Sequence, residues 1–166
     1  YLVYLRHPTT GGVLASWGSL GHVTVAEPGA LIGFLGPRVY RALSGRDFPA
    51  GVQVAENLYA RGLIDAVLAP EELAPMADRT LTVLMSPREG HPPAVPIPVE
   101  DLPDIPAWES ITRSRRPDRP GLRRLLRYAA THVVPLNGTG EGENDPGMLL
   151  ALARFGGAGC VLLGQD

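Results

Sequence analysis

The chain has 166 residues, of which 45% are hydrophobic and 19% are charged, and its formal net charge is -2. This composition is typical of one globular domain or parts of two, and the near-neutral charge gives no electrostatic reason to expect a nucleic acid or a membrane surface as a partner. All 15 basic residues are arginines, so this chain supplies neither a Schiff-base lysine nor a P-loop lysine.

Cysteine and histidine are too sparse to build a metal site. Cys160 is the only cysteine, which excludes an intrachain disulfide and a zinc cluster made of cysteines. The four histidines are scattered without metal-ligand spacing, so no metal is expected. A single cysteine fits a reducing, cytoplasmic setting, and there is neither a membrane-spanning apolar run nor a signal peptide.

A Gly-Gly pair lies between a predicted strand at 1–5 and a predicted helix at 13–20. Pro8 ends the strand, because proline has no N–H for a sheet. Glycine lets a ligand approach the main chain, and the first N–H groups of a helix have no partner inside it. We therefore predict that Gly11 and Gly12 present N–H groups into a cleft, where they would hold an oxygen that gains negative charge. A plain turn is the alternative.

Short strands alternate with helices through the first half of the chain. Strands are predicted at 22–27, 30–35 and 64–68, and helices at 38–44, 52–61 and 70–85. This alternation predicts an α/β fold. The strands are too apolar to be half-exposed, so we expect both of their faces to be covered.

A change of composition at 86–105 marks a boundary. Seven prolines lie between residues 86 and 106, and this density favours extended polyproline geometry and excludes a helix. We predict an extended, weakly packed linker at 86–105. It separates one unit at 1–85 from a second at 106–166.

The segment after the linker is rich in arginine. Helices are predicted at 107–115 and 121–131, and seven arginines lie between Arg113 and Arg127. These arginines form either a solvated helix face or an anion contact. A loop at 137–147, rich in Gly, Glu and Asn, is predicted to be mobile.

The last predicted element is a hairpin of strands at 148–155 and 160–164, joined by four small residues. It reads as the start of a second α/β unit with nothing further to pack on. Because Tyr1 also lies inside a predicted strand, we interpret the chain as a piece of a longer one. Isolated in this way, the strands at 23–25 and 30–34 are expected to lose covering layers and to expose apolar surface.

A set of short motifs runs through the chain in a fixed order. The first group is P-T-T-G-G-V at 8–13, A-S at 15–16, A-E-P at 26–28, A-L-I-G-F at 30–34, G-P-R-V at 36–39, E-x-L at 56–58 and R-G-x-I-D at 61–65. The second group is A-W-E-S at 107–110, R-R-P-D-R-P at 115–120 and L-A-R-F-G-G at 152–157. The first group resembles the β-type half of the biotin-dependent carboxyltransferases, and the second resembles the start of their α-type half.

The chain therefore resembles a piece of a fused β–α carboxyltransferase of acetyl-CoA carboxylase type that spans the junction. It departs from the family at 135–140, where P-L-N-G-T-G stands in place of the usual Glu-Leu-His-Gly-Asp-Arg stretch. The resemblance implies the crotonase fold, repeated once in each half. It also implies transfer of CO2 from carboxybiotin to the α-carbon of a short acyl-CoA, such as acetyl-CoA giving malonyl-CoA for fatty acid biosynthesis.

The resemblance also implies partners and site residues. Biotin would be carried by a biotin carboxyl carrier protein rather than by this chain, a biotin carboxylase would load it, and copies of this chain would form an oligomer. Gly11 and Gly12 would form one of two oxyanion sites, with Thr9, Thr10 and Val13 as substrate contacts. The other oxyanion site would lie in the α-type half beyond residue 166, and biotin itself would supply the base. The chain is then expected to be inactive alone.

Two other interpretations remain open at this stage. One is a different crotonase-fold acyl-CoA enzyme, a hydratase or a decarboxylase. It requires a carboxylate acid or base near the Gly-Gly turn, for which Glu27, in a predicted strand, is the nearby candidate. The other is a non-catalytic assembly subunit.

Overall fold

The computed structural model describes residues 1–87, 104–138, 140 and 142–166. The elements before the predicted linker are β1 Leu2–Leu5, β2 Thr9–Thr10, α1 Gly12–Ala15, a 3-10 turn Trp17–Ser19, β3 Val23–Ala26, β4 Ile32–Gly33, α2 Pro37–Ser44, α3 Ala55–Ala60, β5 Ala66–Val67 and α4 Pro70–Leu84. The elements after it are α5 Ala107–Ser114, α6 Leu122–Ala129, β6 Ala130–Leu136, β7 Met148–Phe155 and β8 Ala158–Gln165.

Two small parallel sheets organise the first unit. One has the strand order β1-β3-β5, and the other pairs β2 with β4. In the smaller sheet Thr9 lies opposite Ile32 and Thr10 opposite Gly33. Parallel strands require crossover connections, which the helices between them supply. The predicted α/β architecture is confirmed.

The inner faces of these strands form one core around the start of the chain. Val3 and Leu5 of β1 are 3% and 2% exposed, and they pack with Leu14 of α1 and Ile32 of β4. Leu14 is the only buried residue of α1, so this side chain attaches the short helix to the sheets. The position of α1 beside β2 and β4 follows from it.

The three strands at 130–165 form an antiparallel sheet of order β6-β7-β8. This sheet packs on the first unit through α4. Val134 of β6 and Leu152 of β7 share a core cluster with Met76 of α4 and with Val23 and Val25 of β3. The hairpin that was predicted to lack a packing partner therefore has one.

The expectation of uncovered apolar strands is wrong for most of the residues concerned. Val23 and Val25 are each 1% exposed, and Ala30 and Ile32 are fully buried. Val23 and Val25 are covered by α4 and the second sheet. Ala30 and Ile32 are covered by residues of β1, α1 and α3. Sequence periodicity did not predict either of these layers. Phe34, in contrast, is 63% exposed.

The helix predicted at 13–20 ends early. The Ser16 hydroxyl donates back to the carbonyl oxygens of Gly12 (2.6 Å) and Val13 (3.3 Å), and such back-bonding competes with helix continuation. The chain then bends, so that Gly18 lies against Val13, where a Cβ would come 2.8 Å from the Val13 oxygen. A 3-10 turn replaces the rest of the predicted helix.

Three further differences arise where pairing overrides a local pattern. The helix predicted at 52–61 begins only at Ala55, because its first residues pair with the start of β4 and the residues before it. The Ile32 N–H donates to the Gln53 oxygen and the Ala55 N–H to the Ala30 oxygen. Strand β2 was not predicted. The helix predicted at 121–131 stops at Ala129 and is followed directly by β6, also not predicted.

Other predicted features agree with the structure or lie outside it. The hairpin is confirmed, with a two-residue turn at Gly156 and Gly157, both at positive φ. Most of the predicted linker, residues 88–103, lies outside the described residues. Its described ends at 86–87 and 104–105 contain neither helix nor strand.

Candidate functional site

The Gly-Gly pair lies at the junction of β2 and α1. Gly11 is the residue before the helix, with φ 70° and ψ -140°, a conformation that only glycine adopts without strain. Its N–H donates to the Gly33 oxygen at 3.1 Å. The N–H of Gly12 has no acceptor among the described residues. The donor predicted at Gly11 is thus used inside the fold, and the donor at Gly12 is available.

The pairing of β2 with β4 fixes this turn. The Thr9 N–H donates to the Leu31 oxygen at 2.9 Å, immediately before the Gly11 bond to Gly33. After the turn, the Ala15 N–H donates to the Gly11 oxygen at 3.0 Å and closes the first turn of α1. Successive hydrogen bonds therefore hold the main chain on both sides of Gly12.

A small polar cluster orders the segment between β1 and β2. Glu27 accepts the His7 N–H at 3.0 Å and lies 3.6 Å from the Arg6 guanidinium. The His7 Nδ1 accepts the Leu31 N–H at 3.1 Å. The His7 N–H, and to a lesser degree Arg6, hold the pKa of the Glu27 carboxyl below its ordinary value, against a smaller opposing effect of burial. Glu27 is therefore an ionised structural acceptor at neutral pH.

The surface in front of the turn is open. A Cβ built on Gly11 or on Gly12 meets no atom within 4 Å. Val13, the next residue of α1, is 47% exposed. Of the two predicted threonine contacts, Thr9 turns its hydroxyl to the Arg6 oxygen at 2.7 Å, whereas no partner is found for the Thr10 hydroxyl in the described part of the chain.

A second group of polar contacts, centred on Asp65, connects the two units. Its carboxylate accepts the Thr24 N–H at 2.8 Å and the Asn137 N–H at 3.0 Å. The Asn137 side-chain amide also donates to the Ile64 oxygen at 3.2 Å. Burial raises the pKa of the Asp65 carboxyl above its ordinary value, and the two N–H donors oppose that shift. Sequence reasoning missed this role, although Asp65 ends the R-G-x-I-D motif.

The seven arginines at 113–127 are all exposed, and five of them have a local side-chain contact. Several meet carboxylates or carbonyls nearby in space, and one lies over an aromatic ring. The ion pairs are Arg113 with Glu109, Arg116 with Asp118 and Arg123 with Asp166, and Arg124 lies 6.0 Å from the Tyr128 ring centre. This favours the solvated helix face over a prepared anion site.

The described ranges contain neither a candidate metal cluster nor a candidate membrane-spanning helix. No group of three or more His, Cys, Asp or Glu side chains comes together there in a way that would hold a metal ion. No helix in the same ranges is long and apolar enough to cross a membrane.

Relatives of known sequence match the whole chain. A probable biotin-dependent acyl-coenzyme A carboxylase beta3 subunit of Mycobacterium tuberculosis is 64% identical over 167 residues, which is 100% of this chain and 33% of that protein. The acetyl-coenzyme A carboxylase carboxyl transferase subunits beta/alpha of Salinispora tropica are 35% identical over 175 residues, 98% of this chain and 30% of that protein. The chain spans about a third of the length of these relatives.

The fold has a counterpart among solved structures. The crystal structure of transcarboxylase 12S, a hexamer with hydrolysed methylmalonyl-coenzyme A bound, superimposes with a TM-score of 0.63 at 17% identity, over 99% of this chain and 32% of that one. The predicted crotonase-like fold is thereby confirmed. The carboxyl transferase domain family matches residues 1–166. The chain therefore belongs to the carboxyl transferase domain family along its whole length.

Proposed function

We propose that the full-length protein is a biotin-dependent acyl-CoA carboxyltransferase. It transfers a carboxyl group from carboxybiotin, held by a carrier protein, to the α-carbon of a short acyl-CoA, with acetyl-CoA to malonyl-CoA as the specific reaction. Its partners are a biotin carboxyl carrier protein, a biotin carboxylase and further copies of itself. Membership of the carboxyl transferase domain family and the 64% identity to a probable acyl-CoA carboxylase subunit support this proposal.

The structural observation that supports the proposed function most directly is the available N–H of Gly12. For carboxylation, the α-carbon of the thioester loses a proton, and the thioester oxygen gains negative charge as the enolate forms. A fixed N–H directed at that oxygen stabilises the enolate more than the neutral thioester, which is what lowers the barrier. Gly12 offers such a donor on a main chain held from both sides.

The turn also fits an acyl-CoA sterically. No atom lies within 4 Å of the position that a Gly12 side chain would occupy, so a thioester can lie directly on the main chain. Val13 offers apolar contact to the acyl group, and Thr9 and Thr10 form the strand beside it. Biotin, when bound, supplies the carboxyl group and the base, so the turn needs no side-chain base of its own.

The environment of Glu27 argues against a hydratase that uses it as an acid or base. A general acid needs a pKa near the working pH, whereas that of Glu27 is lowered by its donor from His7. Its two oxygens face the His7 N–H and the Arg6 guanidinium. These contacts assign Glu27 to ordering the segment before β2.

We propose the same division of the chain as the motifs suggest. Residues 1–85 form the C-terminal part of a β-type half, 86–105 the linker, and 106–166 the start of an α-type half. The donor for the second oxygen then lies outside residues 1–166, and this chain by itself is inactive.

The test is a reconstituted carboxylation assay. The full-length protein is mixed with its carrier protein, biotin carboxylase, ATP and labelled bicarbonate, and with acetyl-CoA or propionyl-CoA. We expect carrier-dependent labelling of the acyl-CoA, with acetyl-CoA preferred. Hydration or decarboxylation of acyl-CoA without the carrier would favour the other crotonase-fold chemistry, and no turnover of any kind would favour an assembly subunit.

A further inference from the structure

We infer that Gln53 is a positioning residue for the proposed carboxyl transfer: through β4 it holds the Gly11–Gly12 turn in register. This inference rests on the proposed function for its kinetic consequence, but its structural content does not. The sequence patterns placed Gln53 in a helix and gave it no role.

Gln53 makes three contacts with β4 and the residues that follow it. Its main-chain oxygen accepts the Ile32 N–H at 3.0 Å. Its side-chain Nε2 donates to the Leu35 oxygen at 2.8 Å. Its side chain lies against the main chain of Gly33, where a Cβ would come 2.8 Å from Gln53 Cγ and closer still to the amide. One residue thus contacts the strand at Ile32 and Gly33 and the segment after it at Leu35.

The opposite edge of β4 holds the turn. Leu31 and Gly33 accept the N–H groups of Thr9 and Gly11 at 2.9 and 3.1 Å. β4 therefore lies between the Gln53 segment on one side and β2 on the other. Any shift of Gly33 is passed to Gly11, and Gly11 sets the direction of the Gly12 N–H because the two share a peptide unit.

The hydrogen bonds of the Gln53 amide indicate that this side chain positions the main chain and does not only stabilise the fold. The Leu35 carbonyl can only accept a hydrogen bond, so the contact requires Nε2 on that side. The Gln53 Oε1 is then buried without a partner among the described residues. An unmet buried acceptor is unfavourable, and an apolar side chain of similar length would avoid it. What the apolar side chain would not keep is the donor that fixes Leu35.

A matched control lies on the same segment. The Asn57 side-chain amide donates to the Val52 oxygen at 2.8 Å, so it also ties a main-chain carbonyl with an amide. Asn57 has no hydrogen bond to β4 within the described part of the chain. Loss of its amide removes the same type of bond without touching Gly33 or Leu35.

The experiment compares Gln53→Met and Gln53→Glu with Asn57→Ala in the full-length protein. For both Gln53 variants we expect kcat for acyl-CoA carboxylation to fall about 10- to 100-fold, because a small displacement of a group that acts on the reacting atoms has an effect of this size. The KM for the acyl-CoA should change by less than about twofold, since the lost interaction belongs to the transition state. Asn57→Ala should retain its kcat. Combination with Gly12→Val should be strongly non-additive, because both changes act on one donor.

A second measurement is independent of activity. Amide hydrogen exchange in peptides covering 8–14 should become faster in Gln53→Met, because the Gly11 bond to Gly33 loosens, and should stay unchanged in Asn57→Ala. A folded Gln53→Met with unchanged exchange and unchanged kcat would overturn the inference, and so would an equal loss in the Asn57 control. If the wild-type protein carboxylates no acyl-CoA, the proposed function fails, and the exchange comparison still decides whether Gln53 positions the turn.

Discussion

Glycines occupy two kinds of place in this molecule, and the contrast separates an open surface from a packing surface. At Gly11 and Gly12 a Cβ would meet nothing within 4 Å. At Gly62 and Gly138, where the two units touch, a Cβ would meet main-chain atoms: on Gly138 it would come 2.6 Å from the Gly62 oxygen. The first pair leaves room for something outside the chain, whereas the second lets two main chains of the same protein approach each other.

The units are joined at that second place by a main-chain hydrogen bond and by the side chains of Asp65 and Asn137. The Gly140 N–H donates to the Gly62 oxygen at 2.9 Å, and Asp65 accepts from both Thr24 and Asn137. The loop at 137–147, predicted to be mobile, is therefore anchored at this end. Replacements at the two glycine sites should accordingly affect different properties, stability at one and turnover at the other.

The largest effect is expected for Gly138→Ala. It combines a positive φ of 64° with a clash against the Gly62 main chain, so we expect the free energy of unfolding to fall by about 2–5 kcal/mol. Gly140→Ala is the matched control, because Gly140 also has a positive φ but open space around it. Thermal unfolding of both variants measures the difference, and equal losses would mean that the close approach contributes nothing.

The next effect is expected for Gly12→Val, and it should appear in turnover. Loss of one oxyanion donor costs about 100-fold or more in kcat, and a valine at this position covers the Gly12 N–H. The melting temperature should hardly change, since the added side chain meets no atom of the chain. Ala15→Val, on the exposed side of the same helix, should retain activity. If folded Gly12→Val carboxylates acyl-CoA at the wild-type rate, the Gly11–Gly12 turn is not part of the active site.

The smallest effect concerns pH and Asp65. Burial raises the pKa of this carboxyl in the folded state, so the folded state binds its proton more readily than the unfolded state does. Between the unfolded pKa and the raised folded pKa, stability from this group therefore increases as the pH falls and is lost as the pH rises. Measured from neutral to mildly acidic pH, the stability of the wild type relative to Asp65→Asn should rise. A constant or opposite difference would contradict the assignment.

Local sequence signals were sufficient where an element is long or has strong ends. The helix at 70–85 was predicted within one residue of α4, because Pro70 opens it and Glu71 and Glu72 occupy its first turn. Strand β3 was predicted from an apolar, β-branched run that Pro28 and Gly29 close, and the structure buries all four of its residues. The sharp turn of the hairpin was predicted from its glycines, although it proved two residues shorter.

The missed elements take their structure from distant partners. β2 has two residues and exists through its pairing with β4. β6 contains Pro135, which argues against a strand in the sequence, and it is held by β7 and by α4. The segment at 52–54 looks helical by itself but forms a turn and a bridge from Val54 to Leu31, because it exchanges hydrogen bonds with Ala30 and Ile32.

The sequence by itself determined the α/β alternation, the position of the Gly-Gly turn and, through the order of its motifs, the carboxyl transferase family. Only the tertiary structure decided which of the two glycine N–H groups is available. The donor at Gly11 is used by a carbonyl at Gly33, and Gly33 is held in turn by Gln53. Such a choice depends on which main-chain groups pair across strands, and the hydrophobic periodicity and turn preferences of a segment carry no information about partners that are distant in sequence.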